Sequence, residues 1–401
     1  MKINTSWNWL KLIACGRVFS AITFFMYVGA MSQLIVAWHL SATQAGIIQT
    51  VETLGFALAL FISSYASDFY NPNRIISIFI ILNFISSFIF FYFASNFITA
   101  ACLNFFVGFA QGGIYGPSIL LVSEKFNQKK KGIAVGTLLG SQSLGYALSL
   151  SINYILSSNY NYHTSFFISS IMSLIGMILL LTAVYKDFFK KYLFSDKNKK
   201  FSLVQNSQTK LLITGYTAHA TELFGVWSWL PIFLTIVLLD KMSISKTVLG
   251  IIIGFSIHCS GLFSSLFAGH LSDSFGRKRI LFAFALVSAI FSFVIGWTTQ
   301  LYWQIIIALG FIYAFFCIGD SGVLTAALTE STPKYCVGRT VGYRSIFGIG
   351  LGSITPGIFG FIIDKTNNHH AIDINTNWVY AFSFLGCAGL IATFCASRLR
   401  K

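Results

Sequence analysis

The sequence predicts an all-α membrane protein, twelve transmembrane helices arranged as two pseudo-symmetric six-helix bundles, and three observations predict it. Apolar runs of about 20 residues recur along the whole chain, the length one helix needs to cross a hydrocarbon core of about 30 Å. Charged residues make up 10% of the 401, against about 25% in a soluble domain, too few to cover a water-exposed surface of this size. The third observation is an internal repeat. A shift of 205 carries Asp68 onto Asp273 and Arg74 onto Arg279, and a shift of 206 carries Glu124 onto Glu330 and Gly136 onto Gly342. An offset near half the chain length at two separate loops marks two parallel six-span units, a plan that puts a solute site near the midplane between them.

Taken in order, the first apolar stretch, 9–37, is interrupted by Arg17. No small-residue cleavage site follows a short apolar run, so this stretch is expected to remain as an anchor. Stretches at 43–66 and 75–94 flank a loop holding Asp68 and Arg74. Those at 98–123 and 133–156 flank a lysine-rich loop, and 164–185 completes the first bundle, residues 1–185. Residues 186–210, with seven lysines and two aspartates, predict a solvated cytoplasmic linker. The second bundle, 211–401, is expected to place its spans at 211–238, 247–271, 280–298, 301–328, 340–363 and 377–397.

Basic residues set the expected orientation. With both termini cytoplasmic, 22 of the 27 Lys and Arg fall in inside segments; only Lys241, Lys246 and Lys365 fall outside, and Arg17 and Arg344 lie within spans. That asymmetry is the positive-inside pattern of a multi-pass protein of a bacterial inner membrane. The net charge of +15 is divided among short loops with no soluble region to form a groove, which argues against a nucleic-acid partner. The seven cysteines show no CxxC or Cys/His spacing and predict small buried hydrophobes, not a metal site. No Gly-x-x-x-x-Gly-Lys-[Ser/Thr] loop is present for ATP, and no HExxH or GxSxG motif for an enzyme. No cofactor is expected.

The loop between the eighth and ninth spans is diagnostic. Gly269-His270-Leu271-Ser272-Asp273-Ser274-Phe275-Gly276-Arg277-Lys278-Arg279 resembles the loop signature of the Major Facilitator Superfamily, G-x-L-x-D-x-x-G-R-[RK]-x. Glycine there permits close helix approach and a tight turn, and the aspartate can cap or oppose a helix N-terminus. Gating is therefore expected of Asp273 and Arg277, with Asp68 and Arg74 as the worn first-half copy. Gln111-Gly112 is similar to the family's arginine-x-x-glutamine-glycine element, with Gly108 where the arginine would stand. Gly136-x-x-x-Gly140-Ser141 approaches the glycine-proline element of antiporters, with Ser141 in place of proline. Both departures weigh against a drug/proton antiporter. The resemblance implies a central cavity lined mainly by spans one, four, seven and ten.

A charged side chain inside a span costs roughly 2.5–3.5 kcal/mol on an insertion scale and marks an interior pathway. The expected solute contacts are Arg17, Tyr27, Gln111, Tyr115, Gln142, Trp229 and Arg344. The expected proton-coupling residues are Glu222, its i,i+3 neighbour His219, Asp320 and Glu52. Structural alternatives stand beside these: Arg17 locked to Glu52, His219 to Glu222, Asp320 to Arg344, Tyr27 and Trp229 as packing, and His258 as a satisfied interior histidine. Polar stripes at Asn104, Gln111, Tyr115 and Ser118, and at Gln142, Tyr146, Ser149 and Asn153, cannot face lipid comfortably.

These features predict a secondary active transporter that moves a small anionic or zwitterionic organic solute by alternating access. Proton-coupled uptake by symport is the first expectation, proton-driven efflux of drugs or metabolites the second, and a transporter-like solute sensor the third. The expected partners are the solute, H+ and the lipid bilayer, with a monomer as the working unit.

Overall fold

The computed structural model describes residues 5–400 except 68, 186–187, 189–206, 333–339, 341 and 368–371. Among the described residues, twelve helices are long and apolar enough to cross a membrane. Spans 1–6 are Ser6–Ala37, Ala42–Ala66, Pro72–Phe93, Phe97–Lys125, Lys130–Asn159 and Tyr162–Val184. Spans 7–12 are Ser207–Lys241, Lys246–Phe275, Arg277–Ile295, Trp303–Glu330, Arg344–Thr366 and Val379–Ser397. Span 7 starts four residues earlier than its apolar run, inside the expected linker. Helices extend past the hydrocarbon boundary because internal bonding of the backbone serves equally well in the headgroup region. The rest of the linker lies outside the described residues, as does Asp68.

Local chemistry fixes the helix starts. Spans 2 and 4 open on capping boxes, Ser41 with Gln44 and Asn96 with Thr99. Asn161 and Ser245 cap spans 6 and 8 by accepting from the Thr164 and Val248 amides. All four starts lie on one face of the molecule. The opposite face, here the terminal face, holds Trp9 against the Ala183 carbonyl, Lys125 over the Trp9 ring, and the Arg400 amide on Gln208.

Span 1 is broken. Regular helix ends at Ala21 and resumes at Met26, with only long turn bonds of 3.2–3.4 Å between. Non-helical backbone inside a membrane must find partners elsewhere in the protein. The Ser20 carbonyl accepts from Gln111 and from Asn83, and the Ile22 carbonyl accepts from Ser149. Spans 2 and 4 touch backbone to backbone. A Cβ at Gly108 would lie 1.8 Å from the Glu52 carbonyl oxygen, and one at Gly112 2.1 Å from that of Phe56. Small residues one turn apart permit this approach, and they explain why no arginine stands at position 108.

The halves meet along two seams, span 2 against span 11 and span 5 against span 8. Near the face opposite the termini these are tight: a Cβ at Gly46 would sit 2.1 Å from the Pro356 carbonyl oxygen. Asp364 of span 11 accepts from the Ala42 amide at 3.0 Å and the Thr43 amide at 2.8 Å, capping span 2 from the other half. Lys246 of span 8 donates to the Ser158 carbonyl at the end of span 5, at 2.8 Å. Each charge thus sits on the helix end of opposite sign. Toward the terminal face the seams loosen. Gly132, Gly136, Gly269 and Gly322 have no neighbouring atom within 4 Å of a Cβ position, while Phe61 still reaches Gly342 at 3.4 Å.

Candidate solute site

Arg17 is 1% exposed, at the last regular turn before the break in span 1. Its Nη1 donates to Gln111 Oε1 at 3.0 Å and to Ser20 Oγ at 3.3 Å, while Nη2 has no partner. The other end of the Gln111 amide is held by Thr23 and Asn83, each at 2.9 Å. Gln111 therefore fixes the guanidinium rather than standing free. In the resembling family element an arginine precedes this glutamine on the same helix; here the arginine reaches it from span 1. The expected lock to Glu52 is not made. Glu52 is fully buried and accepts from Asn104 at 2.9 Å, with its other oxygen unpartnered.

The second half supplies Arg344, 5% exposed, at the first residue of a π-helical stretch, Arg344–Gly350. Such widened turns are uncommon and concentrate at functional positions. Its Nη1 donates to Thr325 at 2.9 Å, its guanidinium lies 4.8 Å from the Tyr216 ring centre, and its Nε has no partner. Asp320 does not pair with it. Among the described residues, no carboxylate lies within 4 Å of either buried guanidinium. Tyr115, half-buried on span 4, lies within electrostatic reach of both arginines, which belong to opposite halves. Gln142 joins this region through Tyr146, to whose hydroxyl it donates at 2.5 Å, and Tyr146 also interacts with Arg17.

Tyr27 and Trp229 lie elsewhere. Each is fully buried, and each donates to a backbone carbonyl, Tyr27 to Ala45 at 3.0 Å and Trp229 to Pro356 at 2.9 Å. Trp229 also stacks on Phe359 at 5.2 Å. These are the packing contacts weighed as their alternative.

The acids of the second half form two separate stations. His219 pairs through Nδ1 with Asp320 at 2.9 Å and through Nε2 with Ser321 at 2.7 Å, so the pairing expected with Glu222 is replaced by one across to span 10. Position explains the exchange: Glu222 turns into the interior of its own bundle, where Ser288 and Ser292 of span 9 donate to it at 2.6 and 2.7 Å. Asp320 also lines a small, largely apolar pocket with Leu324, Cys395 and Leu399.

In the signature loop, Asp273 pairs with Arg277 at 2.7 Å, and Arg277 reaches Glu330 at 2.9 Å. Asp273 is 69% exposed, so it opposes no helix end here. Of the loop's glycines, Gly276 is needed for its backbone, with φ +89°, whereas Gly269 faces open space. Arg74 donates to the Phe188 carbonyl at 3.0 Å. Asn83, Ser20, Trp227, Tyr216 and the unpartnered Nε2 of His258 were not legible as site features. For Asn83, a lone amide midway through span 3 was the available signal.

Comparison with known proteins agrees with this architecture. The family model described as Major Facilitator Superfamily matches residues 13–239 and 212–401. A Bacillus subtilis protein named as a niacin/nicotinamide transporter is 24% identical over 96% of this chain and 94% of its own. The cis,cis-muconate transport protein of Acinetobacter baylyi is 23% identical over 83% of this chain and 82% of its own. The crystal structure of a bacterial homologue of the human lysosomal transporter Spinster, inward-facing and unoccupied, superposes with a TM-score of 0.72 at 16% identity, covering 100% of this chain and 98% of that one.

Proposed function

The chain belongs to the Major Facilitator Superfamily, a multi-pass membrane transporter and not an enzyme, and we propose that it carries a small organic anion across the bacterial inner membrane by alternating access. One observation carries the charge of the solute. Two guanidiniums, one from each half, are buried without a carboxylate partner among the described residues. An unpaired buried cation is strongly destabilising, and an anion bound between Arg17 and Arg344 relieves both at once. Because the two belong to different halves, binding couples the halves, which a carrier requires. The relative named for muconate transport fits an anionic solute.

Uptake is coupled to protons through the His219–Asp320 pair and Glu222, titratable groups buried, like His258, in the second half. Glu222 stores the proton in its serine cage. Both termini lie in the cytoplasm on this reading, which the bias of the basic residues supports, and a single chain is the working unit. In intact cells, an impermeant thiol reagent labels a cysteine at exposed Gln300 and not one at exposed Ser274; the reverse pattern inverts the orientation.

A thermal-shift screen of the purified protein tests the charge. Carboxylic acids raise the melting temperature, because a ligand that binds the folded state stabilises it, and Arg17→Gln and Arg344→Gln each abolish the shift. Stabilisation by amines alone refutes the anionic site.

A further inference from the structure

An aromatic cluster built from both halves neighbours Arg17 through Tyr146. The break in span 1 turns Phe24 and Phe25 into the centre, where Phe24 stacks on Tyr146 of span 5 at 5.1 Å. Phe25 meets Trp227 of span 7 at 5.6 Å and His258 of span 8 at 4.7 Å, and Tyr146 meets Trp227 at 6.0 Å. Toward Arg344 the surface continues through Tyr115 and Tyr216.

Two features distinguish this cluster from an ordinary core. Trp227 is half-buried, and its indole N–H has no partner among the described residues. His258 is 3% exposed, and its Nε2 has none among them either. Buried Trp and His in a packed core normally find partners for these atoms. Here two buried polar atoms of unlike residues are left unsatisfied among the rings, in a cluster whose Tyr146 neighbours the equally unsatisfied Arg17. Rings recognise flat partners by stacking or edge-on contact, and a polyhydroxylated solute would need many more polar groups than this wall presents.

On the premise of the anionic-solute reading, we propose that the solute is an aromatic or heteroaromatic carboxylate, its carboxylate held by Arg17 and Arg344 and its ring against Tyr146 and Trp227. The Trp227 N–H and His258 Nε2 then serve a ring heteroatom or a second polar substituent. Because the wall joins spans 1 and 5 to spans 7 and 8, a flat ring lying on it touches both halves.

Benzoate, cyclohexanecarboxylate and benzylamine test this with the full-length protein in detergent, by titration calorimetry. Benzoate binds about tenfold more tightly than the saturated acid of similar shape, since each ring contact adds a few-fold. Trp227→Leu reduces that ratio to about one, and Trp227→Phe keeps most of it. The Phe variant guards against a loss that is only misfolding. Equal affinity for the two acids in the wild type, or a ratio that survives Trp227→Leu, overturns the aromatic site and leaves the anionic reading standing. Binding of benzylamine with neither acid bound overturns both, and failure of benzoate to bind overturns the aromatic site.

Discussion

At the scale of single residues, the charges within the spans divide into two kinds with different neighbours. Arg17 and Arg344 are held by neutral groups, Gln111 and Thr325, which orient a cation without neutralising it. Glu222 and Asp320 are enclosed with hydroxyls and an imidazole, which can follow a proton on and off. This separation predicts separable defects. Glu222→Gln keeps shape and hydrogen bonding but cannot titrate, so the variant loses solute accumulation under an imposed pH gradient and retains solute exchange. Accumulation surviving in Glu222→Gln but abolished in Asp320→Asn moves the coupling proton to the His219–Asp320 pair; survival in both refutes proton coupling through these groups. The sequence made the charged residues legible because lipid tolerates so few of them. It did not make their partners legible. His219 and Glu222 share a helix face by spacing, yet a small rotation of the side chain sends one to span 10 and the other to span 9.

At the scale of elements, the seams opposite the terminal face are closed by backbone contact and by charges set on helix ends. Asp364 caps span 2 across the seam, and Lys246 crosses the other to the end of span 5. Any motion that opens this face must break both. Removing a cap of this kind costs about 1 kcal/mol, which is about fivefold in an opening equilibrium. In Asp364→Ala, a cysteine at Thr50, whose hydroxyl accepts from the Gly357 amide at 3.0 Å, therefore reacts with an impermeant maleimide about five times faster. An unchanged rate means that glycine packing alone holds the seam. Neither cap was legible from composition: Asp364 reads as the edge of a loop until span 2 is brought beside it. The signature loop shows the complementary case, legible as a motif but with Asp273 pointing to Arg277 and solvent.

At the scale of the whole molecule, the twelve spans, their repeat and the family were readable because a bilayer demands long apolar helices and loops of biased charge. The site was readable only in part. Arg17, Tyr115, Tyr146, Trp227, His258 and Arg344 lie on six different spans, and the shape of the site depends on the break in span 1, where Ala-Ile-Thr-Phe-Phe carries no proline or glycine to announce it. The break persists because Gln111, Asn83 and Ser149 take up the freed carbonyls. On the proposed function, an anion bridges Arg17 and Arg344 and crosses with the alternation of the two halves. Counterflow in proteoliposomes tests this, using the acid that gives the largest thermal shift, at a concentration below saturation. Exchange by the wild type is expected, with a loss of at least about tenfold in both Arg17→Gln and Arg344→Gln, as when one partner of a buried charged contact is removed. Folded, monodisperse variants that exchange the acid at the wild-type rate would contradict it.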